Sequence, residues 1–559
     1  MRGTITFALS AGALSLAALG CADPNASGSA DRVATPIQAE DLARRVATLA
    51  DDAMQGRAPG TAGGRRASAW IAEEMARVGL EPVTRDGLFQ AVPIVEATLN
   101  ETASGLLVRG PDGERALTLG EEAVIWTKRV QSDTGFEAAD VVFVGYGAVA
   151  PEYDWNDYAG LDVRGKLVVM LVNDPGFAKP DEDRFTGPAM TYYGRWTYKF
   201  EEAARQGAAG ALVIHETAPA SYGWDVVRSS WSGPQLDLKR ADAGAGRPAL
   251  EGWLHRDAAL ALFDQAGLDF QALKDAAAEP EFAPVPLAGL SASAKLVTTH
   301  TQTVSRNVAG VLRGAKRPDE YVLYTAHWDH LGQAQTGEDR IFNGAVDNAT
   351  GVASILEIAE AMAGRAEPLD RSVLFLAVTA EEAGLLGSDY FGENPLAPLS
   401  QIVGGVNIDA LVPLGPTHDL QVIGFGASEL EDRLARLAAA EGRVLAPDPN
   451  PEAGYYYRSD HVNFAKRGAP MLYAKNGIDH RQLGSAHGEA VEARYRAERY
   501  HSVADEYDPD TWDFAGMVED LTLFHDLGVE LANTEDWPEW YEGNEFRAIR
   551  QASRAGAGG

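Results

Sequence analysis

Residues 321–332 read YVLYTAHWDHLG, a short apolar run followed at once by a polar cluster. The aromatic and β-branched residues of YVLYT predict a buried strand, and the residues after it predict the loop at its carboxyl end. The same order returns in VLFLAVTAEEAG (373–384) and IVGGVNID (402–409). Since ligands of parallel sheets bind beyond the carboxyl ends of the strands, these three loops predict one shared functional edge.

Helical patterns separate these strands. Residues 341–361 read IFNGAVDNATGVASILEIAEA, in which apolar side chains follow helical spacing after Gly351. Further helices are predicted from Gly63 to Gly79 and from Ser428 to Glu441. Alternating strands and helices favour an α/β fold with a mostly parallel central sheet.

Imidazoles and carboxylates gather at these strand ends and form a candidate metal-ligand set: His327, Asp347, Glu382, Asp409 and, later in the chain, His501. Each has an ordinary explanation alone, as a surface histidine, a helix cap or a solvated acidic group. Together they offer the nitrogen and oxygen donors that zinc prefers. If one aspartate is shared, each of two ions has three protein ligands and room for water, as in a catalytic site.

The motifs HWDHLG, FNGAVDNATGVA, VTAEEAGLLGSDYF, NID and YHS occur in this order, and they resemble those of peptidase family M28, the cocatalytic zinc aminopeptidases. The resemblance covers about residues 38–135 and 295–530, and it includes an opening helix in DDAMQGRAPGTAGGRRASAWIAEEM. It implies the phosphorylase/hydrolase-like fold of zinc exopeptidases, with two Zn²⁺ ions per chain. His327 and Asp409 would hold one ion, Glu382 and His501 the other, and Asp347 would bridge them.

The resemblance also implies roles for residues around the ligands. Glu381 would be the general base, and Asp329 would orient His327, as a hydrogen-bonded carboxylate does for many ligating imidazoles. The peptide bond between Asp347 and Asn348 would be cis.

Three consecutive tyrosines leave one assignment open. In GYYYRSDHVNF, Tyr456 stands where the family has a tyrosine that stabilises the oxyanion, with Tyr455 and Tyr457 as alternatives. His330 is the alternative to His327 as a metal ligand.

A metallopeptidase is the function that this resemblance implies. The favoured function is that of a zinc-dependent aminopeptidase acting on peptides. The two zinc ions would lower the pKa of a bound water, and Glu381 would accept its proton. The alternative is a carboxypeptidase or dipeptidase, for which Arg458 would meet a substrate carboxylate. A glutaminyl cyclase-like acyltransferase and a non-catalytic binding ectodomain are further alternatives, and the complete ligand set argues against both.

Residues 138–290 are predicted to form a separate module. Short strands at VVFVGYG (141–147) and KLVVMLVN (166–173) precede a helix at 198–207 and a strand at 211–215. The segment resembles the protease-associated domain that is inserted into many peptidases. It would divide the peptidase domain into residues 38–137 and 291–535, although these strands could instead extend the main sheet.

The two ends of the chain differ from the rest. Residues 1–20 read as a signal peptide, and Cys21, the only cysteine, resembles the lipid-attachment site of a bacterial lipoprotein followed by a flexible tether to residue 37. We therefore expect export to the cell envelope, with membrane contact only through that lipid. The end of the tail 536–559 is expected to be disordered. A net charge of −33 makes nucleic acid a poor partner, and the sequence leaves the oligomeric state open.

Overall fold

The structure is a computed structural model that describes residues 36–85, 87–180 and 184–557. The predicted signal peptide, the lipid site at Cys21 and nearly all of the tether lie outside the described residues. Within the part described, no helix is long and apolar enough to cross a membrane.

A mixed β-sheet, which we call the main sheet, organises the part of the chain outside the predicted module. Its strands are Glu81–Pro82, Phe89–Leu99, Pro234–Leu238, residues 298–312 of the long strand Val285–Leu312, Arg317–His327, Arg371–Val378, Ile402–Asn407, Asp419–Ile423, Val444–Pro447 and Met471–Asn476. Four neighbouring strands at its centre are parallel, in the order Arg371–Val378, Arg317–His327, Ile402–Asn407, Met471–Asn476. The predicted α/β fold with a mostly parallel central sheet is confirmed.

Helices cover both faces of this sheet, which explains why its central strands are continuous apolar runs. The helices in this part of the chain are Ala39–Leu49, Ala62–Arg77, Thr350–Ala363, Leu386–Glu393, Leu430–Ala440, His461–Ala465, Ser485–Arg494, Ala515–Asn533 and Arg547–Ala557. Every residue of Arg371–Val378 and of Ile402–Asn407 is buried. Thr350–Ala363 packs into the same core with Leu521, Phe524 and Leu527.

A second sheet contains most of the segment that was predicted to be a separate module, and we call it and its helices the second-sheet module. Its strands are Gly105–Gly110, Gly113–Ala116, Ala123–Trp126, Asp133–Phe143, Leu167–Leu171, Gly210–His215, Leu250–His255 and residues 285–297 of the long strand. The helices Pro175–Ala178, Trp196–Arg205, Thr217–Ala220, Trp224–Ser230, Arg256–Gln265 and Phe270–Ala277 belong to it. The sheet therefore includes strands before residue 138 and extends past residue 290, because Val285–Leu312 pairs first in this sheet and then in the main sheet.

The end of the tail is helical where disorder was expected. In the helix Arg547–Ala557, Arg550 is fully buried and donates hydrogen bonds to the carbonyls of Ile402 and Val403 at 2.9 and 3.1 Å. The Arg554 guanidinium lies 3.6 Å from the centre of the Trp537 ring. These contacts with the main sheet stabilise a segment whose composition alone resembles a disordered one.

Candidate metal centre

Three neighbouring parallel strands bring the first ligand candidates to one edge of the main sheet. His327 is the last residue of its strand, Asp409 lies two residues beyond the next strand, and Glu382 lies four residues beyond the strand on the other side. Because parallel strands end on the same side, their terminal loops meet there. The structure thus places His327, Asp409 and Glu382 at one edge of the main sheet, as the strand pattern predicted.

Asp347 lies at the centre of the cluster. Its Oδ1 is 3.2 Å from His327 Nε2, and its Oδ2 is 3.4 Å from His501 Nε2. The same nitrogen of His327 lies 3.2 Å from Oδ1 of Asp409. One carboxylate thus faces both imidazoles, as expected of a residue shared by two ions.

The loop that carries Asp347 is anchored by a second carboxylate, Asp505, which the sequence did not single out. The backbone amides of Val346 and Asp347 donate to its two oxygens at 3.1 and 3.0 Å. The bond between Asp347 and Asn348 is cis, as the resemblance implied. The Asn348 side-chain amide donates to the Ile408 carbonyl at 3.0 Å and so joins this loop to the loop of Asp409.

Glu382 lies between two imidazoles. Its Oε2 is 3.0 Å from His501 Nε2, and its Oε1 is 2.6 Å from His330 Nδ1. His330, the alternative to His327, is therefore next to the other half of the cluster, where its ring is buried. Of these two imidazoles, His501 lines the open cavity, which keeps it as the ligand candidate, while His330 belongs with Asp347 and Glu382 to one group of possible metal donors.

Opposite charges compensate one another inside the cluster. Burial opposes the charge of His327, but Glu381 and other carboxylates raise its pKa well above the ordinary value. Burial is likewise overcome at His501, where Glu382 raises the pKa to about 10. The pKa of Asp347 lies well below its usual range: burial opposes its charge, but hydrogen bonds to His327 and His501 stabilise it. Asp347 is thus ionised at neutral pH, as a metal ligand must be.

Glu381 and Asp329 adjoin the cluster in a different way from that expected. The Asp329 Oδ1 accepts a hydrogen bond from the backbone amide of Glu381 at 3.1 Å. The nearest Asp329 atom to His327 Nδ1 is the backbone carbonyl, at 3.2 Å, while Oδ1 is 3.9 Å away. Asp329 therefore orients the imidazole through its main chain, and its side chain holds the loop of Glu381.

The three tyrosines separate into different environments. Tyr455 lines the cavity, whereas Tyr456 is buried against His461, with ring centres 4.4 Å apart. A Cβ at Gly424 would lie 2.2 Å from the Tyr456 ring, which shows how tightly that ring is enclosed. Tyr456, predicted to stabilise the oxyanion, thus packs below the cavity wall, and Tyr457 binds Glu545. Tyr455 is the member of the three that faces the cavity.

Arg57 holds two loops of the candidate site together, and the sequence analysis did not single it out. Its guanidinium is buried and donates to the carbonyls of Trp328, Leu49 and Gly344, each at 2.8 Å. Burial lowers its pKa to about 10, which leaves it charged, and Asp347 opposes that shift. Arg57 thereby ties the loop after His327 to the loop before Asp347. Its only sequence signal was its place in the quoted opening motif, DDAMQGRAPG.

A cavity of about 270 Å³ opens above the cluster. Side chains of the cluster line it: His327, Asp347, Glu381, Asp409 and His501. Aromatic and charged side chains complete the wall: Tyr455, Tyr473, Tyr495, Tyr500, Asp448, Arg458, Lys475, Glu492 and Arg496. A cavity of this size, with aromatic and charged side chains in its wall, suits a small ligand or the end of a peptide.

Comparison with known families agrees with this geometry. The family model of peptidase family M28 matches residues 307–524, which contain all five ligand candidates. Residues 307–524 belong to peptidase family M28. The M28 region begins within the long strand and ends within the helix Ala515–Asn533.

Curated proteins match shorter stretches of the chain. Mouse aminopeptidase NAALADL1 is 37% identical over 114 residues, 19% of this chain and 14% of the relative. Aminopeptidase YwaD of Bacillus subtilis is 35% identical over 93 residues, 16% of this chain and 18% of the relative. A probable glutamate carboxypeptidase of Arabidopsis thaliana, LAMP1, is 33% identical over 159 residues, 27% of this chain and 20% of the relative. The chain thus spans a fifth or less of these relatives.

Solved structures align over most of the chain at low identity. An aminopeptidase from Aneurinibacillus sp. strain AM-1 is 17% identical, with 90% of this chain and 97% of that chain covered and a TM-score of 0.49. BSAP, a zinc aminopeptidase from Bacillus subtilis, is 16% identical, with 91% and 98% covered and a TM-score of 0.42.

Proposed function

We propose that this protein is a zinc-dependent exopeptidase that hydrolyses N-terminal residues from peptides. One observation carries the proposal: the carboxylate of Asp347 faces the imidazoles of both His327 and His501 at the base of a cavity, next to Glu381. Residues that were predicted from scattered positions in the sequence meet there.

The donor set fits two zinc ions. The ligand atoms of His327, Asp347 and Asp409 all lie within 4.8 Å of one another, and Asp347 takes part in a second such group with His330 and Glu382. His501 adjoins this second group, with its Nε2 3.0 Å from Glu382 Oε2 and 3.4 Å from Asp347 Oδ2. Imidazole nitrogens and carboxylate oxygens are typical zinc donors, and the shared carboxylate leaves positions open for water. His327 and Asp409 would hold one ion, and Glu382 and His501 the other. When bound, zinc lowers the pKa of water and polarises a carbonyl group.

Glu381 supplies the proton transfer. Its carboxyl lines the cavity, and burial raises its pKa well above the ordinary value for glutamate, which favours its taking up a proton. The Asp329 side chain holds the Glu381 amide in place. Glu381 would accept a proton from the attacking water and deliver it to the amine that leaves.

The test combines metal analysis with a single variant. We expect two zinc ions per purified chain and hydrolysis of leucine p-nitroanilide. Glu381→Ala should lower kcat at least about a hundredfold, because a general base contributes about 10² to 10⁴. The variant should still bind two zinc ions, since Glu381 is not among the ligand candidates.

Exposed Glu338 provides a matched control, and Glu338→Ala should retain full activity. An active Glu381→Ala variant, or a chain that binds no zinc, would rule out the proposed reaction. Cyclisation of glutaminyl peptides without hydrolysis would replace it with the acyltransferase alternative.

The second sheet and the N-terminus complete the proposal. The second sheet acts as a protease-associated module that shapes access to the cavity: Met190 from the module donates its amide to the Pro451 carbonyl at 3.1 Å, in the loop before Tyr455. The sequence LAALGC (16–21) supports export and attachment of a lipid at Cys21. Incorporation of labelled palmitate, abolished by Cys21→Ser, tests the attachment.

A further inference from the structure

Arg458 stands out among the charged residues of the cavity wall. Its Nη2 donates to the Ser221 hydroxyl at 2.8 Å, and its guanidinium lies 5.2 Å from the centre of the Tyr455 ring. Its Nε is buried and has no acceptor, and no carboxylate within the described ranges forms an ion pair with it. Keeping a cation partly removed from water without a counter-ion costs free energy. An incoming anion would offset that cost, so Arg458 is available to bind one.

Arg195, from the second-sheet module, adds to this unpaired charge. The residue is only 9% exposed, and its Nε is a buried donor without an acceptor among the described residues. Burial lowers its pKa to about 10, and the like charge of Arg458 adds to that effect. Two arginines from different parts of the chain therefore lie near each other with no described carboxylate between them.

The same wall carries two further cations. Lys475 and Arg496 both bind one carboxylate, Glu492, at 3.1 and 3.0 Å. Arg496 also lies 5.5 Å from the centre of the Tyr455 ring, so Tyr455 contacts two guanidinium groups. Apart from the cluster carboxylates Asp347, Glu381 and Asp409, the wall has two carboxylates, Glu492 and Asp448, against the three cations Arg458, Lys475 and Arg496.

The wall is also tied directly to the candidate metal centre. Ser459, the residue after Arg458, donates its hydroxyl to Asp409 Oδ2 at 2.6 Å. Asn407, at the end of a central strand, in turn donates to the Ser459 hydroxyl at 2.7 Å. A ligand held by Arg458 is thus fixed relative to the ligand set through a short, buried connection.

We propose that Arg458, supported by Arg195 and Arg496, forms a subsite for a substrate carboxylate, so that the enzyme prefers short peptides with a free C-terminus. This inference rests on the proposed exopeptidase function and specifies its substrate class. A cavity of about 270 Å³ holds roughly a dipeptide, so the C-terminal carboxylate of such a substrate stays within reach of the wall. Arginine recognises a carboxylate through paired hydrogen bonds.

The experiment compares three peptides on the zinc-loaded protein. Leu-Gly carries a C-terminal carboxylate, Leu-Gly-NH₂ carries none, and Leu-Asp-NH₂ carries a carboxylate only on a side chain. We expect kcat/KM for Leu-Gly to exceed that for Leu-Gly-NH₂ about tenfold, since a charge-assisted hydrogen bond is worth about that factor. Arg458→Gln should abolish the preference, and Arg458→Lys should retain part of it.

The control variant is Arg481→Gln, which removes an exposed arginine paired with Glu519 at 2.7 Å. It should leave the preference for Leu-Gly unchanged. Zinc content and circular dichroism of each variant show whether the ligand set and the fold are intact, which separates loss of the subsite from loss of structure.

Two outcomes decide the inference. An equal preference in wild type and Arg458→Gln would overturn it, whereas a loss confined to Leu-Asp-NH₂ would assign the subsite to an acidic side chain instead of the C-terminus. If the wild type hydrolyses none of the peptides, the proposed reaction fails. Titration calorimetry with the same peptides then decides the subsite alone: tighter binding of Leu-Gly that Arg458→Gln removes would support it, and equal affinities would overturn it.

Discussion

The two halves of the candidate metal centre are built differently. His327 and Asp409 follow hydrogen-bonded neighbouring strands, and the His327 side chain is 1% exposed. His501 lies on a loop far along the chain, with a φ of 54° and a side chain that is 39% exposed. Glu382, which contacts His501 through one carboxylate oxygen, contacts His330 through the other. The strand-borne half is thus fixed by the core, while the loop-borne half depends on segments that open at a lower free energy.

The largest effect should come from the residue that belongs to both halves. Asp347→Ala removes the carboxylate proposed to be shared, so each of the two proposed ions would keep only two protein ligands. We expect hydrolysis of leucine p-nitroanilide to fall at least about a thousandfold, with less than one zinc ion per chain by elemental analysis. Asp339→Ala, at an exposed position, is the control. Two zinc ions in the Asp347 variant would show that the halves do not share this ligand.

Zinc release should separate the halves. With excess chelator we expect two phases, in which the ion of the His501 half leaves at least about tenfold faster, because the His501 side chain is 39% exposed whereas that of His327 is 1% exposed. His501→Ala should retain about one zinc ion per chain, and His327→Ala should retain less. A single release phase for both ions would contradict the difference between the halves.

Arg57 tests how far the strand-borne half depends on its buried support. Arg57→Met leaves several buried carbonyls without a donor, and we expect a loss of about 3 kcal/mol in the free energy of unfolding. The melting temperature measures it, and Arg57→Lys should lose less. Exposed Arg65, changed to Met, is the control. A melting temperature equal to that of the wild type would mean that the loops after His327 and before Asp347 are stable without Arg57.

The smallest expected effect is on the pH dependence of the free energy of unfolding. His461, fully buried against Tyr456 below the strand-borne half, has its pKa lowered by burial to about 3. In the unfolded chain it titrates near 6.5, so the unfolded state binds more protons between these values, and stability falls as pH drops below about 6.5. We expect a loss of about 1.4 kcal/mol per pH unit from this group.

Thermal unfolding of the metal-free chain at pH 7 and pH 5 measures this slope without interference from zinc release. His461→Phe should flatten the slope, and exposed His418→Phe should leave it as it is. An unchanged slope in the His461 variant would assign the acid sensitivity to other groups.

The sequence predicted the part of the molecule that strands organise. Runs such as VLFLAVT are apolar throughout because both faces of the central strands are covered, and the polar residues after them therefore reach one edge. The strands of the second sheet before residue 138 were missed because Gly113–Ala116 is exposed and Ala123–Trp126 is very short. The terminal helix was missed because its contacts come from Arg550 and Arg554, not from an apolar stripe.

The same contrast holds for the site. The five ligand candidates were found because their side-chain types match metal chemistry, and the structure brings them together. Arg57 and Asp505 bind backbone groups of distant loops, and such contacts leave no pattern in the sequence. Tyr455 and Tyr456 are alike in sequence, and only packing against Gly424 determines which of them faces the cavity.

The long strand Val285–Leu312 has a consequence for protein engineering. Because it pairs with Asp133–Phe143 at one end and with Phe89–Leu99 at the other, cutting the chain at its apparent module borders would expose unpaired strand edges on both fragments. Such edges recruit other chains, so each piece alone would aggregate. The two sheets should therefore be moved together when this part of the chain is grafted onto another protein.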